Sequence, residues 1–173
     1  KVNYFSNPKF LNDSTVITVL RNKDATTAIA AVDVLSGGIK NITPPSSTVI
    51  GNIAVNNSKI YFTASKHLKD ELFCYDLVQQ QLFQLPTPGV GSYFVSSNFN
   101  KLNWSMFTAD GYQLQQADER QVKWQPLSMD AFINNKTGLV TDSIHAFYQL
   151  MKAPSTQAFT QPYQKLTRPF NFH

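Results

Sequence analysis

Asp142, Ser143 and His145 stand within four positions of one another. These are the side chains of a nucleophilic triad, in which a histidine must bridge the other two in space. Residues one or two apart on a helix diverge and cannot do this. Ile144, Phe147, Tyr148 and Met151 fall at helical spacing, so 142–152 reads as a short amphipathic helix, with Thr141 or Asp142 as its cap and Pro154 after it. No Gly-x-Ser-x-Gly elbow occurs in the chain. The trio therefore reads as a helix cap with a surface histidine, and no catalytic residues are assigned.

The other chemical candidates thin out in the same way. His67, His145 and His173 contain no pair at the i,i+3 or i,i+4 spacing of a metal site, so no metal is expected. Gly37-Gly38 and Gly89-Val90-Gly91 read as turns, not as a phosphate cradle, and no cofactor is expected. Asp70-Glu71 and Asp118-Glu119 are adjacent carboxylates whose side chains leave a strand on opposite faces, which rules out an acid/base couple on one substrate. Glu119 reads as a turn-tip surface charge. Cys74 has no second cysteine to pair with and lies in an apolar strand pattern, where a small buried hydrophobe is expected.

What recurs is structural. Asp33, Asp76 and Asp118 each sit between two apolar strand patterns, about 42 residues apart. Ile29, Leu72 and Leu114 precede them by four positions; Ile39, Leu82 and Trp124 follow by six, and Ile42, Leu85 and Leu127 by nine. In each unit the aspartate is expected to accept backbone N–H bonds in the manner of an Asx turn. The period matches the roughly 40–45 residues of a β-propeller blade.

The elements around these anchors are short strands. Thr15–Leu20 is rich in β-branched residues, Thr26–Val34 and Ile39–Thr43 flank Ser36-Gly37-Gly38, and Pro44-Pro45 closes the unit. The second unit places strands at Val49–Val55, Ile60–Ala64, Glu71–Leu77 and Gln81–Leu85. The third places them at Tyr93–Ser96, Leu102–Phe107, Tyr112–Gln115 and Val122–Leu127, with Asp110-Gly111 as a hairpin signal. The expectation is an all-β chain: three four-stranded antiparallel blades at about 1–45, 46–89 and 90–129, followed by a helix and linker over 130–173. Three blades make an incomplete propeller, so the chain is expected to be cut from a larger one or to self-associate through open blade faces, with Val16, Val19 and Ile29 on the sticky side of the first.

Composition bounds the partners. The chain is 42% hydrophobic and 13% aromatic, as a globular protein is, but only 15% charged, which leaves Asn, Gln, Ser and Thr to carry the surface and suits an extracytoplasmic setting. The fifteen Lys and Arg behind the net charge of +4 are scattered singly, so no nucleic-acid stripe forms. No apolar run reaches the roughly 18 residues of a membrane span. Alternation should bury about half of the aromatics Tyr61, Phe62, Phe73, Tyr75, Phe83, Phe94, Phe99, Trp104, Phe107 and Trp124 between blades, leaving the rest for contact.

The stretch Asp33 to Thr43 resembles the TolB-like class of propeller repeats, whose strand–turn–strand element reads D-x-x-(S/T/N)-G-x-x-x-x-(L/I)-T; the second unit lacks the Gly, and the third lacks both the Gly and the final Thr. Tyr163-Gln164-Lys165-Leu166-Thr167-Arg168-Pro169-Phe170-Asn171-Phe172-His173 resembles the phrase that joins such propellers to a C-terminal outer-membrane β-barrel in large gram-negative envelope proteins. The resemblance implies a periplasmic or otherwise extracytoplasmic fragment next to a membrane domain, with protein partners or its own missing blades. The function expected is non-enzymatic scaffolding or interaction. The rivals are the propeller part of a prolyl-oligopeptidase-type serine peptidase, against which the Phe170–His173 ending speaks, and a sugar- or peptide-binding module.

Overall fold

A computed structural model of the chain describes residues 3–66 and 69–134. The regular structure of the described residues is nearly all short antiparallel strands. The first sheet runs β1 (Tyr4–Phe10), β2 (Thr15–Arg21), β3 (Thr27–Asp33) and β4 (Ile39–Asn41), each paired with the next in sequence. The second runs β5 (Ile50–Asn56), β6 (Lys59–Lys66), β7 (Lys69–Asp76) and β8 (Gln81–Leu85) in the same order. The third contains β9 (Gly91–Asn98), β10 (Lys101–Thr108) and β11 (Gly111–Asp118). A last strand, β12 (Gln125–Leu127), precedes a five-residue helix, α1 (Met129–Ile133).

The middle sheet shows why the three stack. Along β6 the side chains alternate: Ile60, Phe62 and Ala64 enter one core, while Tyr61 enters another. Along β7, Phe73 and Tyr75 go to the first core, Leu72 and Cys74 to the second. Period-two geometry sends successive residues to opposite faces. A strand apolar at every position is therefore buried on both sides, and β7 is buried from Leu72 to Asp76. The first core is completed by Ile17, Val19 and Ile29 of the first sheet, the second by Val95, Leu102 and Trp104 of the third.

Polar side chains stitch the inner strands together. Asn52 donates from Nδ2 to the Val95 carbonyl at 3.0 Å, and its Oδ1 accepts from the Val95 N–H at 2.7 Å, so one amide makes a complete ladder rung between β5 and β9. Asn7 Nδ2 donates to the Gly51 carbonyl at 3.1 Å, linking β1 to β5.

Several expectations are corrected. The third sheet has three strands, because β12 does not return to β11; it pairs with β8, as Gln125↔Gln84, Pro126↔Phe83 and Leu127↔Leu82, and gives the second sheet a fifth strand. Leu114, aligned by spacing with the fully buried Ile29 and Leu72, is 79% exposed, since it pairs with Ser105 on the face of the third sheet turned away from Leu102 and Trp104, where no described residue of another sheet packs. Val19 and Ile29 are buried in the first core and are not a sticky face; Val16 is half-buried. β1 was not anticipated as a strand: it contains Pro8, lacks alternation, and is exposed at all seven positions. A short helix, not expected at this position, follows β12 directly. Ser128 caps α1 by accepting the Ala131 N–H at 3.1 Å, and Phe132 enters the first core. The helix expected over 142–152 lies outside the described residues, as do all three histidines and Ser143.

Candidate functional site

Two places in the described residues gather side chains capable of recognition. The first is the cleft between the second and third sheets. Lys59 opens β6, Cys74 and Asp76 close β7, and Glu119 follows β11. The crossing of the chain from β11 to β12 lays Trp124 over Tyr61, with ring centroids 6.0 Å apart. Lys59, Cys74, Asp76, Gln79, Phe83 and Trp124 line a cavity of about 80 Å³.

The electrostatics of this cleft are settled. Lys59 Nζ donates to Glu119 Oε1 at 2.6 Å. Partial burial alone would depress the ammonium, but the Glu119 hydrogen bond and charge outweigh it and hold Lys59 protonated. Burial pushes the Cys74 thiol up to about 12; Lys59 opposes the rise, and Glu119 and Asp76 add to it. Burial likewise raises the Tyr61 phenol, with the charges around Cys74, Glu119 and Asp76 behind it. Cys74 is thus a protonated thiol, not a nucleophile. Trp124 Nε1 is buried without a hydrogen-bond partner. With Lys59 tied to Glu119 and Asp76 to the Val78 and Gln79 N–H groups, neither Cys74 nor Tyr61 is an activated nucleophile here.

The second place is the outward face of the third sheet. Phe107 and Tyr112 are cross-strand neighbours, with ring centroids 4.9 Å apart, and Tyr93 meets Tyr112 edge-on at 5.9 Å. Gly91 lies beneath Tyr93, where a Cβ would fall 2.4 Å from the phenol oxygen. Phe94 stands at a break in register with φ +53° and is 68% exposed. Phe99 takes φ +50° in the β9–β10 turn, where the matching turn of the second sheet has Asn57 at φ +53°. Bulky side chains seldom adopt the left-handed region, and holding them there costs on the order of 1–3 kcal/mol each.

The three anchoring aspartates are dispersed among the turns, and their bonds are local. Asp33 Oδ1 accepts from the Leu35 and Ser36 N–H groups and the Ser36 hydroxyl at 2.7–3.1 Å. The Ser36 bonds hold its carboxyl below the ordinary range. Asp76 Oδ1 accepts from Val78 and Gln79 N–H at 2.8 and 3.0 Å. Asp118 likewise accepts the N–H two residues on, from Arg120 at 3.1 Å, but there caps a 3₁₀ turn at Glu119–Gln121 and also grips the Arg120 guanidinium, which brings its pKa down to about 2. Glu119 is not a free turn-tip charge, because Lys59 claims it. Sequence reasoning missed the Lys59–Glu119 pair, since 60 positions separate its members.

Sequential strands in stacked antiparallel sheets define a β-propeller-type domain, and solved structures agree on that fold. A puromycin-hydrolyzing peptidase of Mycobacterium tuberculosis superposes with a TM-score of 0.59 at 11% identity, over 73% of this chain and 21% of that one. A puromycin hydrolase gives 0.59 and 11%, over 72% and 20%. The chain thus spans about a fifth of the length of these structures. A nidogen/laminin complex follows at 0.49 and 14%, over 67% and 44%. No protein-family model and no curated protein matches the sequence.

Proposed function

We propose that this chain is a non-enzymatic contact module of a cell-envelope protein, of the TolB-like propeller kind, working outside the cytoplasm beside an outer-membrane barrel of its parent. The observation that carries the reading is the aromatic face of the third sheet. Phe94 and Tyr112 are 68% and 64% exposed, each in ring contact with Tyr93, and Phe94 is held in a backbone conformation that bulky residues avoid. Exposed aromatics clustered on a rigid sheet are what protein interfaces are built around. The siting rests on the likeness of Tyr163–His173 to the phrase that precedes outer-membrane barrels.

The test is photo-crosslinking in the native host, with a benzophenone amino acid at position 94 or 112 of the parent protein and at position 35, which is 86% exposed, as control. Discrete protein adducts from 94 and 112 but not 35 are expected, with the module cleaved by added protease only once the outer membrane is permeabilised or from outside the cell. A cytoplasmic module, or adducts independent of position, overturns the proposal.

A further inference from the structure

A sheet edge presents unpaired N–H and C=O groups that invite another strand, and stable proteins blunt such edges with prolines, charges, bulges or shortness. Among the described residues, five of the six sheet edges are blunted. β1 carries Pro8 and Lys9 and breaks register between Ser6 and Lys9. β4 and β12 are three residues each, and β12 includes Pro126. β5 breaks register between Ile50 and Ile53, and β9 breaks where Phe94 takes positive φ. From Gly111 to Ala117, β11 has none of these devices. Its eight residues pair with β10 in unbroken register, from Lys101↔Asp118 to Thr108↔Gly111. It contains no proline, and no charge stands between Gly111 and Ala117. The strand that would have covered it, β12, is on β8 instead.

We propose that β11 is a strand-addition site, and that its occupant is β11 of a second copy of this chain, paired antiparallel about a two-fold axis through Leu114. The self-complementarity of the strand carries the choice of occupant. A two-fold axis normal to the sheet keeps each face on its own side, so residues of like parity meet. Leu114 then faces its own symmetry mate, Tyr112 faces Gln116, Gln113 faces Gln115, and Gly111 faces Ala117. Apolar meets apolar at the centre, amides meet amides, and no like charges oppose from Gly111 to Ala117. At each end Asp118 faces Asp110 of the other copy, a repulsion that the Arg120 guanidinium, 3.0 Å from Asp118, offsets. The result is one six-stranded sheet spanning two molecules. This inference rests on the edge, not on the aromatic face, so either can fail without the other.

The experiment is sedimentation of the purified 173-residue chain, from micromolar to millimolar concentration, with Leu114→Lys and Leu114→Asp beside it. The native chain is expected to dimerise. Each variant places like charges opposite at the axis and should weaken the dimer at least ~10-fold. Mixing the two variants sets Lys against Asp and should restore it, while Leu35→Lys, on another exposed side chain, should change nothing. Circular dichroism checks folding, and Leu114→Thr, neutral and strand-forming, should retain the dimer. A chain that stays monomeric at millimolar concentration overturns the proposal. So does a dimer indifferent to both charges, or a mixture that does not recover. None of these results bears on the crosslinks at position 94.

Discussion

Replacing Phe132 by alanine removes the one fully buried side chain of α1. Phe132 is 1% exposed and meets Phe62 and Phe73 at 5.9 and 5.2 Å, edge-on to both. Truncating a core phenylalanine costs about 3–5 kcal/mol, of which each edge-to-face pair accounts for about 0.5–1.5. Two such pairs argue for the upper half of the range. Against that, a helix of five residues can shift inward and shrink the cavity. About 4 kcal/mol is the resulting expectation. With a urea slope of about 2 kcal/mol/M, the unfolding midpoint should fall by about 2 M. Trp104 and Trp124, both in the second core region, report the transition by fluorescence. Phe132→Leu keeps the burial but loses the ring contacts, and should cost about 1–1.5 kcal/mol. A Phe132→Ala midpoint lowered by less than about 0.5 M would refute the reasoning, because α1 would then lie outside the cooperative core.

The Lys59–Glu119 pair should couple by about 1–2 kcal/mol, above a surface pair and below a buried one, since its side chains are 35% and 14% exposed. A double-mutant cycle of Lys59→Met and Glu119→Ala measures it, and coupling under about 0.3 kcal/mol would contradict the geometry. Cys74 should resist iodoacetamide in the native state and react on unfolding. Its thiol pKa is raised from 9.0 to about 12, so between those values the unfolded chain has released a proton that the folded chain retains. The native chain should accordingly lose stability relative to Cys74→Ala as pH rises from 9 toward 12. Parallel melts of the two chains through that range check the slope, and identical slopes would rule out a buried thiol.

Much of the strand layout was legible because its causes are local. The β-branched run Thr15–Leu20, the apolar alternations on either side of Asp33 and Asp76, and the Asp110-Gly111 signal each sit within a few residues of the structure they produce. The Asx turns at Asp33 and Asp76 are likewise closed within three residues. β1 left no such signal, because a strand exposed along its whole length has no face to keep apolar. Of the candidate sites, Cys74 could be read as buried from its strand context. The aromatic face could be read only as a fraction of the aromatics, since which side of the third sheet lies open depends on what packs against it.

The sequence by itself determined period and turn: where strands begin, where Asp-anchored bends fall, and that a strand apolar at every position must be covered on both faces. Those are properties of a residue and its near neighbours. Tertiary structure decided the pairing of the last strand. The Asp118 spacing matches the other two units, yet Asp118 caps a 3₁₀ turn instead of a hairpin, and Gln81 Nε2 donates to the Leu127 carbonyl at 3.0 Å across 46 positions of chain. Once β12 lies on β8 and Trp124 packs over Tyr61, β11 is left as a sheet edge and Glu119 meets Lys59. Local spacing does not encode that outcome, because which of the two edges, β8 or β11, takes β12 depends on what the whole fold brings within reach.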